Sequence, residues 1–383
     1  MPYFRSVLTS GASGTPLDQV TDTAAILIGN KQTPYSPNNC SNMFKNNAGF
    51  NSPVYIGENV NNCSNMFKNS GFNSMVVFAP NVNANFASMF SNCHNYNQPF
   101  TMPQNANPNC ALMFENCTNF NQYVNTSNIT NGYYMFSDCT NFNQNVIIPN
   151  TISACDGMFW GCTSLNQNIS LPNVANVSSM FHGCTSLNQN NFIMYRATKN
   201  AYGMFWGCTN LLQTPTFNQY LNYAEYMFAD CEKLTFISQL PMGLISARHM
   251  FSGCTNLNRT FELDKSNTRD VSYMFSNCTN MNAYCTIPSN VENCAHMFDG
   301  CTNFAARVNI NVRSAQPNHN FVGMFANRSN SKRLDIYCND LSLLTGNNSL
   351  NSITGTDITW SSTTNGKRNS VYNIYIYNNY YGA

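Results

Sequence analysis

Cysteines are the residues of this sequence that could take part in the widest range of reactions, since a thiolate can attack an electrophile, bind a soft metal or form a disulfide. There are 17, and ten follow the pattern Met-Phe-x-x-Cys between Met89 and Cys301. Zinc sites require close ligand pairs such as Cys-x-x-Cys, which the sequence lacks. In a stack of repeats, equivalent cysteines lie about 5 Å apart, within disulfide range, but their side chains point alongside one another. We therefore predict a reduced, buried thiol ladder, with disulfides as the second interpretation and metal binding as the third.

The other residues that catalyse reactions do not form a recognisable set. The five histidines are scattered, and His249 and His296, each directly before a Met-Phe pair, are predicted to be solvated surface. There is no nucleotide-binding glycine loop, no Gly-x-Ser-x-Gly and no His-Glu-x-x-His. Because no acid, base and nucleophile cluster, we expect no catalytic residue, no metal, no cofactor and no enzymatic activity.

Three aromatic side chains form the candidate ligand-binding site. The second residue after each repeated Met varies and is expected to point away from the core. In three consecutive repeats this residue is Trp160, His182 and Trp206. Exposed tryptophan ladders are typical of recognition sites, including sugar platforms. The alternative is that the C-terminal region or a partner subunit covers these side chains.

A repeat of roughly 23 residues positions these side chains. Its signature is Met-Phe, and in Cys155-x-x-Met158-Phe159-x-x-Cys162 the apolar residues fall at i, i+3, i+4 and i+7. This spacing predicts one buried face of a short α-helix in each repeat. Met-Phe begins at positions 43, 66, 89, 113, 135, 158, 180, 204, 227, 250, 274, 297 and 324. The predicted core ladder includes Met89, Phe90, Cys93, Met113, Phe114, Cys117, Met158, Phe159, Cys162, Met180, Phe181, Cys184, Met204, Phe205 and Cys208.

The second half of each repeat is short and extended, often with proline, as at residues 146–149 and 168–172. Alternating apolar residues beside a proline are typical of a brief strand. One helix and one strand of this size cannot bury themselves, so neighbouring repeats must supply the core. We predict an α/β repeat solenoid: a leucine-rich-repeat-like, right-handed stack of about 13 coils with one short helix and one short strand per coil, a parallel sheet and non-repeat caps at both ends.

Residues 38 to about 310 resemble the BspA-like leucine-rich repeats, whose consensus carries Met-Phe-x-x-Cys-x-x-Leu. The resemblance implies a curved leucine-rich-repeat solenoid, and known relatives include bacterial surface adhesins, mycoplasma and protist surface proteins and some phage virion proteins. Two features depart from the family pattern. Relatives on cell surfaces carry a signal sequence, whereas residues 1–11 lack both a basic n-region and an apolar h-region. The usual Leu-Asp-Leu-Ser strand is replaced by an Asn-rich one, so the resemblance implies a fold more directly than a function.

The two ends of the chain lie outside the repeat. We divide the chain into residues 1–37, an N-terminal cap or anchoring arm, residues 38–325, the solenoid, and residues 326–383, a C-terminal cap with a β-hairpin. A cap is the expected end of any solenoid. An arm at the N-terminus would instead attach the solenoid to a larger assembly.

The C-terminal hairpin is predicted from the Asn365-Gly366 pair, which favours a two-residue turn. Its strands are expected at residues 357–360 and 370–377. In the second strand, isoleucines and tyrosines alternate, so they should face opposite sides. Large residues on both sides predict a neighbour on each, either the last coil or another subunit.

Bulk composition limits the possible partners. Charged residues make up 9% of the chain and the net charge is +1, whereas about 25% is typical of soluble domains. Such a chain has little electrostatic attraction for nucleic acid or an anionic membrane, so we expect neither as a partner. No run of apolar residues is long enough for a transmembrane helix, so we expect no membrane insertion.

These features predict a structural or binding protein of a phage virion, in a tail, collar or head appendage. It would be made in the host cytoplasm, released by lysis and act as a spacer or receptor-binding surface. Its partners would be other virion proteins, through residues 1–37 or the C-terminal hairpin, a host-surface glycan or protein, and a second copy of the chain. The alternative is a bacterial or protist adhesin of the BspA type at the cell surface, and an intracellular scaffold comes third.

Overall fold

The computed structural model describes ten ranges of residues. They are 26–28, 38–103, 108–189, 192–194, 197–263, 266–311, 319–339, 352–356, 359–363 and 366–378. Ten short strands occur in them: β1 (Ile26–Ile28), β2 (Val54–Ile56), β3 (Val76–Phe78), β4 (Phe261–Glu262), β5 (Cys285–Ile287), β6 (Val308–Ile310), β7 (Leu334–Cys338), β8 (Ser361–Thr363), β9 (Gly366–Asn369) and β10 (Ile374–Asn378).

The chain divides into two compact units, Met1–Gln189 and Asn190–Ala383. The first contains a parallel sheet of order β1-β2-β3, and the second contains a sheet of order β4-β5-β6-β7-β10-β9-β8. Strands β4 to β7 are parallel and come from successive repeats, as stacked coils require. Of the predicted N-terminal cap, the described part is β1, which lies parallel to β2; the rest of residues 1–37 is outside the described residues.

The repeated Met-Phe segment is a series of β-turns, so the predicted short helix in each repeat is wrong: none of the described residues is α-helical. The backbone N–H groups of this segment alternate between a hydrogen bond within the coil and a hydrogen bond to the next coil. The N–H of Met43 donates to the carbonyl of Cys40, three residues back (3.3 Å), whereas the N–H of Phe44 donates to the carbonyl of Met66 in the next coil (2.8 Å). An α-helix would use every N–H within the segment. Here every second N–H instead holds one coil to the next.

Left-handed backbone at two positions per repeat produces these turns. The residue before Met and the third residue after it have positive φ. The third residue has φ between 53° and 74° and is always Asn, Asp or Gly, the residues that reach this region at least cost. These residues are Asn46, Asn69, Asn92, Asn116, Asp138, Gly161, Gly183, Gly207, Asp230, Gly253, Asn277, Gly300 and Asn327.

The core consists of columns of identical side chains that run from coil to coil. In the first unit, the repeated phenylalanines stack nearly parallel from Phe44 to Phe181, with ring centroids 5.4–5.7 Å apart. The column from Phe205 to Phe325 in the second unit has the same spacing. Every residue of the predicted core ladder is fully buried.

The prediction of a strand in every coil is also wrong. Between Phe78 and Phe261 the described residues form isolated bridges, such as Ile193 with Thr216 and Gln213 with Phe236, rather than strands. Proline cannot donate to a ladder, and the Asn-rich segments use side-chain amides instead. The N–H of Asn166, for example, donates to Oδ1 of Asn143, and the N–H of Asn188 to Oδ1 of Asn166.

At the C-terminus, β8 and β9 form an antiparallel pair on either side of residues 364–365, which are outside the described residues. Of the predicted strand at 357–360, residues 357–358 are outside the described residues and 359–360 are not in a strand. Half of the predicted 370–377 strand, residues 374–377, belongs to the separate strand β10. This strand lies parallel to β7 and antiparallel to β9. Buried Arg328 donates to the carbonyls of Phe304, Lys332 and Tyr372, which attaches the last coil to this segment.

Candidate functional site

Trp160 and His182 of the predicted site are in contact in the first unit. Their rings stack with centroids 3.8 Å apart and an interplanar angle of 13°. Tyr134 lies against Trp160 with its ring centroid at 5.9 Å. Both Trp160 and His182 are half-buried rather than exposed. The imidazole of His182 covers one face of Trp160, and the ring of Tyr134 is tilted by 33° against it. Trp160 is therefore less open than a sugar platform, which presents a ring face.

Trp206 lies in the second unit, where its indole N–H donates to Oδ2 of Asp230 (2.9 Å). It opens a strip of aromatic rings that continues through one residue from each following coil. We define the aromatic strip as Trp206, Tyr226, His249, Tyr273 and His296. Successive centroids are 5.0, 4.5, 4.5 and 4.7 Å apart, and each pair is within 20° of parallel.

The strip ends at a glycine. Gly323, the equivalent of His296 in the next coil, has φ 61°, and a Cβ there would collide with the imidazole of His296. The Oδ2 atom of Asp299 lies 2.8 Å from Nδ1 of His296, which fixes the ring in place. The rings of the strip therefore cover one another's faces, and each of them is half-buried.

Four members of the strip have a backbone conformation that is energetically unfavourable for their residue type. Tyr226, His249, Tyr273 and His296 are the residues before Met and have φ of 55–57°. A left-handed conformation costs about 1–2 kcal/mol for a residue with a bulky side chain. Most other coils have Asn, Gly or Ser at the same position, and Leu112 and Tyr134 are the other bulky residues there. Strained positions of this kind cluster at functional sites.

Burial favours a neutral His249. Burial lowers the pKa of His249 below its ordinary value, and the neighbouring cation of Arg248 lowers it further, while Asp270 opposes the change. At neutral pH the strip thus contains uncharged imidazole between two phenol rings. The imidazole nitrogens and phenol hydroxyls of the strip can donate and accept hydrogen bonds.

The cysteines form the reduced, buried ladder: all 17 are free and buried. In nine coils the thiol lies 2.9–3.1 Å from the carbonyl oxygen of the Phe in the preceding coil, as Cys162 does with Phe136. Burial raises the pKa of Cys155 and Cys285 to about 12 and that of Cys162 well above its usual value. These thiols are neutral packing groups rather than nucleophiles. Across the described ranges, no three His, Cys, Asp or Glu side chains are placed to hold a metal ion.

Sequence analysis missed the strip because it treated His249 and His296 as solvated residues on the outside of a helix. In the structure both are half-buried: His249 lies between two tyrosines, and His296 lies between Tyr273 and Gly323. The signal was present, since Tyr226, His249, Tyr273 and His296 occupy the position before Met in four consecutive repeats. That these four residues stack on one another follows from the turn geometry, which a helical interpretation does not predict.

The described part of the chain contains no helix long and apolar enough to cross a membrane.

Solved structures of several bacterial proteins are similar to this chain in fold. It is similar to the pneumococcal vaccine antigen PcpA, with a TM-score of 0.51 and 14% identity over 81% of this chain and 79% of that one. It is also similar to a leucine-rich repeat protein from Bacteroides ovatus, with a TM-score of 0.48 and 17% identity. The alignment covers 65% of this chain and 65% of that one. A leucine-rich cell surface protein from Faecalibacterium prausnitzii aligns with a TM-score of 0.36 and 16% identity, over 69% of this chain and 80% of that one.

The chain belongs to the family described as "Mycoplasma protein of unknown function, DUF285". The family model matches residues 35–125, 107–193, 149–239 and 222–336, which together cover the repeats. Among curated proteins, none matches the sequence. The predicted resemblance to BspA-like leucine-rich repeats is therefore supported at the level of a repeat-solenoid fold.

Proposed function

We propose that this chain is a cell-surface binding protein, an adhesin whose solenoid presents outward side chains to a partner outside the cell. The aromatic strip is the observation that carries this proposal. Four of its members keep bulky rings where the backbone favours Asn or Gly. Packing of the core does not require them, because the Met, Phe and Cys columns are already buried.

The comparisons support display at a surface. PcpA, which shares the fold, is named as a vaccine antigen, and the Faecalibacterium protein is named as a cell surface protein. The virion role expected from the sequence stays a prediction, since none of these relatives is described as a virion protein. The predicted partners of that role, through residues 1–37 or the C-terminal hairpin, stay predictions with it.

Fractionation of the source culture tests the location. Intact washed cells are treated with an impermeant lysine label and density-purified particles are collected in parallel, and both are analysed by mass spectrometry. Labelled peptides from intact cells are expected for a surface protein. A constant copy number in particles, with no labelling of cells, would replace the adhesin by the virion role.

Substitution of the aromatic strip tests the binding. Tyr226→Asn, His249→Asn and Tyr273→Asn together remove three rings while Asn keeps the left-handed turns. We expect the triple variant to keep its melting temperature within a few degrees and to lose binding to host cells. Tyr223→Ser is the matched control, because Tyr223 is 46% exposed outside the strip and pairs with Ser246 in the next coil. Equal loss in both variants would contradict a role for the strip.

A further inference from the structure

The outward side of the C-terminal sheet has a composition unlike the rest of the chain. In β7 and β10, buried aliphatic residues alternate with partly exposed Asp335, Tyr337, Tyr375 and Tyr377. In β9, Arg368 pairs with Tyr375 across the strands and is exposed. The outward side chains of this sheet surface are therefore tyrosine, arginine and short polar groups.

Three arginines lie over the tyrosine rings of this sheet. The guanidinium carbon of Arg307 is 3.8 Å from the ring centroid of Tyr337, and that of Arg333 is 4.1 Å from Tyr375, which Arg368 approaches to 5.3 Å. Tyr337 stacks in turn on Tyr377, with centroids 4.9 Å apart. We define these six residues as the arginine–tyrosine face: Arg307, Arg333, Arg368, Tyr337, Tyr375 and Tyr377.

Hydrogen bonds fix the guanidinium groups in place. Arg307 donates from Nε to Oδ1 of Asn309 (2.9 Å), and Arg333 donates from Nε to Oδ1 of Asp335 (2.8 Å). Attachment through Nε leaves the terminal Nη edge of Arg307 for an incoming anion, the geometry in which arginine binds carboxylate or sulfate with two parallel bonds. Ring contacts reduce the side-chain entropy that such binding would otherwise lose.

The charge of the face is positive in a chain of net charge +1. Among the side chains described on it, Asp335 is the one carboxylate, and Arg333 already pairs with it. The arginines are spread from Arg307 beside β6 to Arg368 on β9, three strand-to-strand steps or about 14 Å. A row of that length suits an extended polyanion better than a single small ion.

The chemistry of the face favours a sugar over a peptide as the carrier of those charges. Its outward strand residues include no aliphatic side chain, and guanidinium groups or other rings lie over its tyrosine rings. The described face therefore offers charge and hydrogen-bonding groups rather than the uncovered anchors that fill pockets in protein hot spots. Thr286 and Asn309 donate to the hydroxyl of Tyr284 at the edge of the face and add groups that match sugar hydroxyls. We infer that the arginine–tyrosine face binds an anionic polysaccharide, sulfated or uronate-rich. This inference rests on the proposed surface-binding function and specifies its ligand class.

Heparin binding by the full-length chain tests the inference. Titration at about 150 mM salt, followed by calorimetry or surface plasmon resonance, is expected to give saturable binding to heparin and none to neutral dextran. Arg307→Gln with Arg368→Gln should weaken binding by at least about tenfold, because glutamine is uncharged and cannot make the paired, charge-assisted hydrogen bonds of a guanidinium group. Arg259→Gln with Arg269→Gln removes the same charge elsewhere on the surface and should change the affinity less than about twofold.

Three results would overturn the inference. Heparin could fail to bind, the two double variants could weaken binding equally, or polyglutamate or single-stranded DNA could bind as tightly as heparin. Equal melting temperatures of the variants keep a folding defect from imitating the expected loss. Surface labelling of intact cells is measured separately, so absence of glycan binding by a labelled surface protein would reject the ligand and leave the proposed function standing.

Discussion

At the scale of single residues, Tyr96 is an exception in a column of hydrocarbon side chains. It occupies the position of Phe72 and Phe120 and stacks between them at 5.9 and 5.8 Å. Its hydroxyl is buried with no hydrogen-bond partner among the described residues. A buried hydroxyl without a partner costs about 1–3 kcal/mol.

Tyr96→Phe should therefore raise the free energy of unfolding by about 1–3 kcal/mol, measured by urea denaturation. Phe120→Tyr is the matched control, because it places a second hydroxyl at the equivalent position of the next coil and should destabilise. If Tyr96→Phe lowered the stability, the hydroxyl would have a partner that the structure does not contain.

The glycines at the left-handed positions differ in their surroundings, and this difference gives a second prediction. A Cβ on Gly161 would collide with the carboxylate of Asp138, whereas a Cβ on Gly183 would lie 3.7 Å from the Cα of Gly161. Asn tolerates positive φ at both sites. Gly183→Asn should then change the melting temperature little, and Gly161→Asn should lower it by several degrees, equivalent to about 1–3 kcal/mol. Equal changes in melting temperature for the two variants would show that the backbone conformation alone determines which residues this position tolerates.

His249 makes the aromatic strip sensitive to acid. Its folded-state pKa is lowered, mainly by burial, so it lies below the unfolded value of about 6.5. The unfolded chain therefore binds the proton first, and stability falls as the pH drops through about 6.5 towards the folded pKa. Replacing His249 by Tyr, the residue of the two flanking coils, should reduce the loss of melting temperature between about pH 7.5 and pH 5. An unchanged pH dependence in the variant would contradict this assignment.

At the scale of elements, the thiol ladder predicts how the protein reacts with alkylating reagents. All 17 cysteines are free and buried, and burial raises the pKa of most of their thiols, so native protein should react slowly with iodoacetamide at neutral pH. Unfolding in guanidinium without reductant should expose 17 reactive thiols. Fewer would indicate disulfides, and rapid labelling of the native protein would contradict burial. Mass spectrometry of the alkylated chain counts them in both states.

The difference between the predicted helix and the observed turns has a specific physical origin. Spacings of three and four residues bring side chains to one side of an α-helix, and they do the same in consecutive turns in which alternate N–H groups close i→i−3 bonds. Residues such as Met158, Phe159 and Cys162 are therefore correctly predicted to be core even though the backbone between them is not helical. The restriction of the third position after Met to Asn, Asp and Gly is the signal that separates the two conformations, because a helix interior disfavours all three.

The candidate site was less predictable than the core. Sequence alone finds Trp160, His182 and Trp206 as aromatic residues at one repeat position, but it does not reveal that rings cover one another's faces. That outcome depends on which positions lie side by side on adjacent coils: Trp206 stacks on Tyr226, which is three residues earlier in its own repeat. Contacts of this kind follow from the turn geometry and not from periodicity.

At the scale of the whole molecule, each coil is stabilised mainly by the coils on either side of it. Stability in such arrays is close to a sum of nearest-neighbour terms. Cys162→Arg places a charge in the core of the first unit, where burial without a partner is strongly unfavourable. Hydrogen exchange with mass spectrometry should show lost protection centred on residues 135–184. The coils around Met274 and Met297 should keep theirs, and uniform loss along the chain would instead indicate a single cooperative unit.

Coil-to-coil bonding in one register also affects how the gene can change. The N–H of Phe90 meets the carbonyl of Met113, the N–H of Phe114 meets that of Met135, and the same pair recurs at Phe136 and Met158. An unequal crossover between the codons of two successive Met-Phe pairs would delete one coil. Each remaining Phe N–H would then meet the Met carbonyl of the coil that follows it. Recombination can therefore lengthen or shorten the protein in whole coils without a new folding problem, and the outward positions can diversify at each step.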